Sequence, residues 1–172
     1  MWSLYKIISI EVLRWWDQFK RRRTGLPVAK TSQITDKLFV GGQYKAHLIP
    51  KLQLLGITAI VNMRTKSVHL GKAIPGIEYL HLPTADRHAP SLENLKKGSE
   101  FIQQQIAKGG VVYIHCKAGE GRGPSMAIAY LISTGLTLED AFETVRKVRR
   151  FIRPTKVQLS QLQKFYETYS RV

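Results

Sequence analysis

One segment of the sequence combines a cysteine, an arginine and several glycines at a spacing that suits phosphate chemistry. It reads HCKAGEGRGPS over residues 115–125, so that five residues separate Cys116 from Arg122. An apolar, β-branched run, VVYI (111–114), precedes it, and a helix-like run (126–132) follows. This order predicts a strand, a glycine-bearing loop and a helix N-terminus. The backbone N–H groups of such a loop can form an anion cradle, which the helix dipole reinforces.

The predicted cradle, which we call the phosphate loop (residues 116–122), activates its cysteine. Inward N–H groups, a helix N-terminus and the neighbouring Arg122 all favour the thiolate of Cys116 over the thiol. A thiolate beneath a bound phosphate can attack phosphorus, while a planar guanidinium holds two phosphoryl oxygens. The plainer alternative is a buried, inert cysteine, which is common for free cysteines, but it leaves the glycines and the arginine unexplained.

The pattern His115-Cys116-x5-Arg122 resembles the signature of the protein tyrosine phosphatase superfamily, and a length of 172 residues resembles its dual-specificity branch. The similarity covers about residues 34–169, and ITDKLFVGG (34–42) resembles the opening strand of the family. The resemblance implies a single-domain α/β phosphatase fold and hydrolysis of phosphate monoesters through a cysteinyl-phosphate, without metal or cofactor. The residues expected to bind the phosphoryl group are Lys117, Ala118, Gly119, Glu120, Gly121 and Arg122.

The same resemblance implies a general acid, because expelling an alkoxide or phenoxide from phosphorus requires a proton donor. The family takes it from an Asp on a mobile loop about thirty residues before the cysteine, and Asp86 stands there in LPTADRHAPS (82–91). An Asp that only stabilises a turn is the alternative. His88 is a substitute acid or a substrate contact, and His115 is expected to order the loop and tune Cys116.

Two positions depart from the family pattern. Gly123 follows the loop arginine, where the family usually has Ser or Thr. That hydroxyl normally assists departure of the thiolate when water hydrolyses the phosphoenzyme, so the second step is expected to be slow unless Ser125 substitutes. Glu120 places an acid in a phosphate-binding loop, and nothing in the sequence explains it.

The predicted elements divide the chain into two parts. Residues 1–33 are expected to form an amphipathic basic helix, near 3–21, and a linker, and residues 34–172 form the phosphatase domain. Strands are predicted near 38–41, 57–62, 77–82 and 110–115. Helices are predicted near 45–55, 91–108, 124–134, 137–150 and 155–170. This alternation favours a central, mostly parallel sheet flanked by helices, with an extra N-terminal helix.

The net charge of +15 indicates anionic partners: phospholipid surfaces, acidic proteins or, least favoured, nucleic acid. A basic cluster, KRRR (20–23), follows a segment with a tryptophan-rich apolar face, which is typical of a helix lying on anionic lipid. The alternative is an extra helix packed on the domain or on a partner. Four charged side chains in the segment argue against a transmembrane span. The residues of the apolar face are Tyr5, Ile8, Val12, Trp15, Trp16 and Phe19.

The residue after the cysteine bears on substrate choice. The segment CKAG (116–119) resembles the loop of phosphoinositide 3-phosphatases and of the mitochondrial phosphatidylglycerophosphate phosphatase, and Lys117 adds a cation at the rim. We therefore expect a phospholipid phosphate as substrate, acted on by a cytoplasmic protein that attaches peripherally to an anionic membrane through residues 1–23. The alternatives are phosphotyrosine or phosphoserine/threonine on proteins, or a phosphate-binding module with little turnover.

Overall fold

The computed structural model describes residues 2–67, 69 and 73–169, and the side chains within them from residue 7 onward. The strands are β1 (Gln33–Thr35), β2 (Leu38–Gly41), β3 (Ala59–Asn62), β4 (Glu78–His81) and β5 (Val112–His115). The helices are α1 (Trp2–Thr24), α2 (Ala29–Ser32), α3 (Ile49–Leu54), α4 (Leu92–Ala107), α5 (Arg122–Ser133), α6 (Leu138–Val148) and α7 (Lys156–Tyr169).

The five strands form one sheet in the order β1-β2-β5-β3-β4. β1 is antiparallel to β2, and the remaining pairs are parallel, which confirms the mostly parallel sheet. The three central strands are buried along their whole length, as expected for a sheet covered on both faces. The carboxyl ends of β2, β3, β4 and β5 meet at one edge, where open α/β sheets bind ligands.

Each face of the sheet has its own hydrophobic core. On one face α4, α5, α6 and α7 bury a large cluster that includes Ile102, Ile128 and Leu162. On the other face a smaller cluster forms around Leu52 of α3 and Tyr44. Helix α5 is apolar on most of its surface and is buried from Arg122 to Ala129. It runs away from the end of β5, so its N-terminus lies at the ligand-binding edge.

Three regions differ from the prediction. The segment before residue 34, expected to be a linker, contains α2 and β1, which are too short for hydrophobic periodicity to reveal. The helix expected at 45–55 is a 3-10 turn (Ala46–Leu48) followed by α3. Helix α5 starts two residues earlier than expected, at Arg122. The remaining predicted strands and helices are confirmed to within a few residues, and residues 170–172 lie outside the described part of the chain.

The N-terminal helix packs on the domain through its polar face. Ile8, Val12, Trp15 and Phe19 are each more than half exposed, while the polar residues Glu11, Arg14, Asp17, Gln18 and Arg21 bond to the domain. The structure therefore shows the alternative in which this helix packs on the domain, and it leaves the apolar face of α1 exposed. The side chain of Tyr5 lies outside the described residues. None of the described helices is both long enough and apolar enough to cross a membrane.

Candidate active site

The phosphate loop connects the end of β5 to the start of α5, as the sequence predicts, and its carbonyl groups point away from the centre. Lys117 O accepts from the Gln43 amide at 3.0 Å, and Glu120 O accepts from the Arg153 amide at 2.6 Å. Arg149 donates to Gly119 O from Nε and to Ala118 O from Nη2, at 2.5 and 3.0 Å. In a trans peptide the C=O and the following N–H point in opposite directions. The N–H groups of residues 118–121 therefore face the interior of the loop and form the anion cradle.

Cys116 lies at the floor of this cradle. The cysteine is 3% exposed, and its Sγ accepts a hydrogen bond from the Gly119 amide at 3.2 Å. Gly119 has a φ of +73°, and a Cβ there would lie 2.4 Å from the backbone of Gly41. Glycine is therefore required at this position, both for the turn and for the close approach of β2.

Arg122 and Asp86 are brought together above the sulfur, although 36 residues separate them in sequence. Arg122 is 5% exposed, and its Nη2 donates to Asp86 Oδ1 at 2.6 Å while its Nη1 donates to Thr84 O at 2.9 Å. The Asp86 side chain is 68% exposed, so it is free to exchange this partner for another. The acid loop between β4 and α4 thus delivers a carboxyl group to the rim of the cradle.

His115 lies in the sheet behind the loop, not in the cavity. Its ring is buried between Tyr44, at 5.1 Å between centroids, and Tyr113, at 5.9 Å. Burial lowers the pKa of His115 to about 3, and the hydrogen bond between Nδ1 and Cys116 O only partly opposes this. The imidazole is therefore neutral near pH 7, which suits an ordering role and excludes a charged one.

Ser125 is the candidate substitute for the hydroxyl missing at position 123, and His88 is the candidate substitute for the acid Asp86. Both side chains contact backbone atoms and not the cysteine sulfur. Ser125 Oγ donates to Gly121 O at 3.0 Å, the bond to the preceding turn that serines often make in helices. The exposed His88 ring bonds Asp86 O at 3.0 Å and shapes the acid loop. Gly123 lies directly beside the sulfur, and a Cβ there would be 3.8 Å from Cys116 Sγ.

Glu120 turns toward α1. Its Oε1 accepts from Arg14 Nε at 2.9 Å and from Gln18 Nε2 at 3.0 Å. The carboxylate is thus neutralised by a helix more than a hundred residues away in sequence. This contact explains how an acid is tolerated in an anion-binding loop.

Residues that the sequence reasoning did not single out complete the site. The cavity above Cys116 has a volume of about 300 Å³, and Arg87, Arg153, Thr155 and Gln158 line it together with the loop. Gln158 Nε2 donates to His88 O at 2.8 Å, and Thr155 Oγ1 donates to Arg87 O at 3.0 Å. These bonds anchor the acid loop to the start of α7. A polar TKVQ (155–158) stretch opening a helix is an ordinary N-terminal pattern, so the sequence offered only a weak signal.

A family model for the dual specificity phosphatase catalytic domain matches residues 38–168. Dual specificity protein phosphatase 1-B of Xenopus laevis is 32% identical over 136 residues, which are 77% of this chain and 36% of that protein. The chain therefore spans about a third of the length of that relative.

Two further similarities involve lipid phosphates. Phosphatidylglycerophosphate phosphatase PTPMT2 of Arabidopsis thaliana is 28% identical over 181 residues, which cover 98% of this chain and 70% of that protein. The crystal structure of PTPMT1 in complex with PI(5)P superposes with a TM-score of 0.72 at 28% identity. That superposition covers 80% of this chain and 95% of the PTPMT1 chain.

Proposed function

Because this chain belongs to the dual specificity phosphatase family, we propose that it hydrolyses phosphate monoesters through a phosphocysteine at Cys116. The observation that carries the proposal is the cradle itself: a cysteine at the floor of a 300 Å³ cavity, beneath inward amides, with Arg122 and Asp86 above it.

In the first step the Cys116 thiolate attacks phosphorus, and the bond from phosphorus to the leaving oxygen breaks. Inward amides of the phosphate loop and the Arg122 fork hold the equatorial oxygens as charge develops. Arg122 must turn from Asp86 toward the phosphoryl group for this, because Nη2 now bonds the carboxylate. Once it is separated from Arg122, Asp86 takes up a proton from solvent, and it gives that proton to the departing oxygen.

In the second step water attacks phosphorus, and the S–P bond breaks. Asp86, now ionised, accepts the proton of the water, and the thiolate leaves with its electron pair. The Gly119 amide bonds Sγ at 3.2 Å and stabilises that leaving thiolate. No hydroxyl is present at position 123 to add a second bond, so this step limits turnover.

We propose a phospholipid phosphate as the substrate class. The name of the Arabidopsis relative and the PI(5)P complex of PTPMT1 support this choice. Three cations line the cavity: Lys117, Arg87 and Arg153. They suit a substrate that carries a second anionic group besides its phosphomonoester. Phosphotyrosine or phosphoserine/threonine on a protein remains the competing substrate.

We also propose that α1 attaches the protein to an anionic bilayer. Its outward face carries Trp15, 69% exposed, with Ile8, Val12 and Phe19, and the basic cluster 20–23 follows directly. Such a face inserts among lipid headgroups while the exposed cations Lys20, Arg22 and Arg23 meet anionic lipid. α1 borders the cavity, because Glu11 pairs with Arg153 and Arg14 with Glu120, both of which line it. Attachment therefore brings the cavity to the membrane surface.

A substrate panel tests the activity, and a pair of surface variants tests the attachment. We expect p-nitrophenyl phosphate turnover, and a higher kcat/KM for phosphatidylglycerophosphate or PI(5)P in vesicles than for phosphotyrosine peptides. Trp15→Asp should lose co-sedimentation with vesicles containing phosphatidylglycerol, whereas Leu54→Asp, a change at a still more exposed apolar residue on α3, should keep it. Phosphate binding without turnover would identify a binding module. If the unmodified protein does not co-sediment with anionic vesicles at low salt, the attachment is refuted and protein substrates are favoured.

A further inference from the structure

We infer that α1 is a positioning element of the phosphate loop, and that Asp17 and Arg14 act on the catalytic step through Arg149 and Glu120. The inference rests on the proposed phosphatase function and adds a part to it. Its basis is a set of contacts between α1 and three consecutive loop residues: Ala118 and Glu120 are contacted directly, and Gly119 is contacted through Arg149.

The first connection is a buried ion pair. Arg149 is fully buried, and its Nη2 lies 3.2 Å from Asp17 Oδ2, which is 2% exposed. The same guanidinium donates to the outward carbonyls of Gly119 and Ala118. Thr31 completes the arrangement, with its hydroxyl donating to Asp17 at 2.6 Å and its carbonyl accepting from Arg149 at 2.9 Å. The Asp17 carboxylate and Thr31 therefore hold the Arg149 guanidinium in the position from which it keeps the loop carbonyls outward.

The N–H groups of the phosphate loop can point inward only while the preceding carbonyl groups point outward. A peptide unit is planar, so turning the carbonyl of Ala118 or Gly119 inward turns the next N–H outward. The N–H of Gly119 is the one that bonds Cys116 Sγ. A loosened Arg149 thus weakens both the anion cradle and the stabilisation of the thiolate, although Arg149 itself is not among the residues that line the cavity.

The second connection neutralises Glu120. Arg14 Nε and Gln18 Nε2 both bond its Oε1, and Gln18 Nε2 also lies 3.3 Å from Ala118 O. The Glu120 side chain is 15% exposed and lines the cavity. Without Arg14 its charge is uncompensated beside the phosphate site and repels the dianionic group. This connection therefore acts on anion binding, whereas Asp17 acts on loop geometry.

The two connections predict different kinetic signatures with p-nitrophenyl phosphate. Arg14→Ala should raise KM and the dissociation constant of orthovanadate by about fivefold to tenfold, with a smaller change in kcat. Asp17→Asn should lower kcat by about tenfold or more, because it leaves the buried Arg149 without a charged partner. Arg14→Lys keeps the positive charge, so its KM should stay close to that of the unmodified protein. A merely structural contact does not predict this difference between the two variants.

A double-variant cycle isolates the second connection. If Arg14 acts by neutralising Glu120, then Glu120→Gln should remove the effect of Arg14→Ala, and the double variant should bind vanadate like Glu120→Gln alone. Arg146→Ala is the matched control, since it breaks an exposed ion pair with Glu143 on α6. Circular dichroism and the melting temperature of each variant establish that it is folded before the comparison.

The outcomes separate this inference from the proposed function. If the unmodified protein binds vanadate but turns over no phosphomonoester, the proposed function fails, and vanadate affinity still tests the positioning role of α1. If Arg14→Ala and Asp17→Asn are folded and match the unmodified protein in kcat, KM and vanadate affinity, the positioning role is overturned. Additive effects of Arg14→Ala and Glu120→Gln would overturn the neutralisation of Glu120.

Discussion

Introducing a hydroxyl at position 123 is the most direct test of how the phosphoenzyme is hydrolysed. A Cβ built on Gly123 would lie 3.7 Å from the Cys116 amide nitrogen, 3.7 Å from Val40 Cγ1 and 3.8 Å from Cys116 Sγ. These are ordinary van der Waals distances, and the φ of Gly123 is not in the left-handed region. The Cβ of Gly123→Ser therefore fits without displacing a neighbour, and it stands close enough to the sulfur for the attached hydroxyl to reach it.

The size of the effect follows from one hydrogen bond to a charged sulfur. Such bonds contribute about 1.5–3 kcal/mol, and 1.36 kcal/mol of barrier corresponds to a factor of about ten in rate. The bond reaches full strength only when the thiolate has left phosphorus, and in the transition state the sulfur carries only part of that negative charge. Only part of the stabilisation therefore lowers the barrier, and we expect phosphoenzyme hydrolysis to be accelerated by roughly threefold to thirtyfold.

Pre-steady-state kinetics with p-nitrophenyl phosphate measure this step. The unmodified protein should release a burst of p-nitrophenol equal to the concentration of active sites, because the second step is slow. Gly123→Ser should shrink the burst and raise the steady-state rate. Gly123→Ala is the matched control, since it adds the same Cβ without the hydroxyl, and it should keep the burst.

The reasoning fails if the unmodified protein shows no burst, because hydrolysis is then not limiting. It also fails if Gly123→Ser and Gly123→Ala behave alike, because the hydroxyl then contributes nothing. In the first case, a group other than Ser125 already assists the sulfur, since the Ser125 hydroxyl is bonded to Gly121 O.

Three further predictions follow from the site. Cys116→Ser should abolish turnover and keep orthovanadate binding, measured by calorimetry, because the cradle is mainly backbone; residual turnover in that variant would refute the phosphocysteine. Asp86→Asn should slow alkyl phosphates by about 10²–10⁴-fold but spare substrates with a leaving group of low pKa, and an equal loss on both would make Asp86 structural. Burial lowers the pKa of His115 to about 3, so the unfolded chain binds an extra proton between about pH 6.5 and pH 3. Stability should thus be complete above pH 6.5 and fall by up to about 1.4 kcal/mol per pH unit below it. His115→Gln should flatten that slope in urea titrations, and an unchanged slope would assign the acid sensitivity to other groups.

Local sequence was sufficient to predict the phosphate loop and most of the helices and strands around it. The strands next to the loop are apolar runs bounded by turn residues, and α4, α6 and α7 are long segments with helical periodicity, so each carries its own signal. The cysteine, the arginine and the glycines of the loop lie within seven residues. Their geometry follows from the strand before them and the helix after them. The short β1 and α2 carry no such signal, because three or four residues do not establish a period.

Tertiary structure decided which distant side chains complete the site. The acid loop is held by Gln158 and Thr155 at the start of α7, about seventy residues away in sequence. The exposed Asp86 finds Arg122 only because β4 and β5 end at the same edge of the sheet.

The orientation of α1 is the clearest case that sequence alone left open. Its amphipathic pattern is visible in the sequence, and burial of apolar surface favours packing that face inward. The structure packs the polar face inward instead. Asp17 there meets the buried Arg149, and Arg14 meets Glu120, over separations of 132 and 106 residues. A buried charge requires a partner, and only the folded chain reveals that the partner of Arg149 lies on α1. The same contacts account for Glu120 and leave the apolar face of α1 exposed.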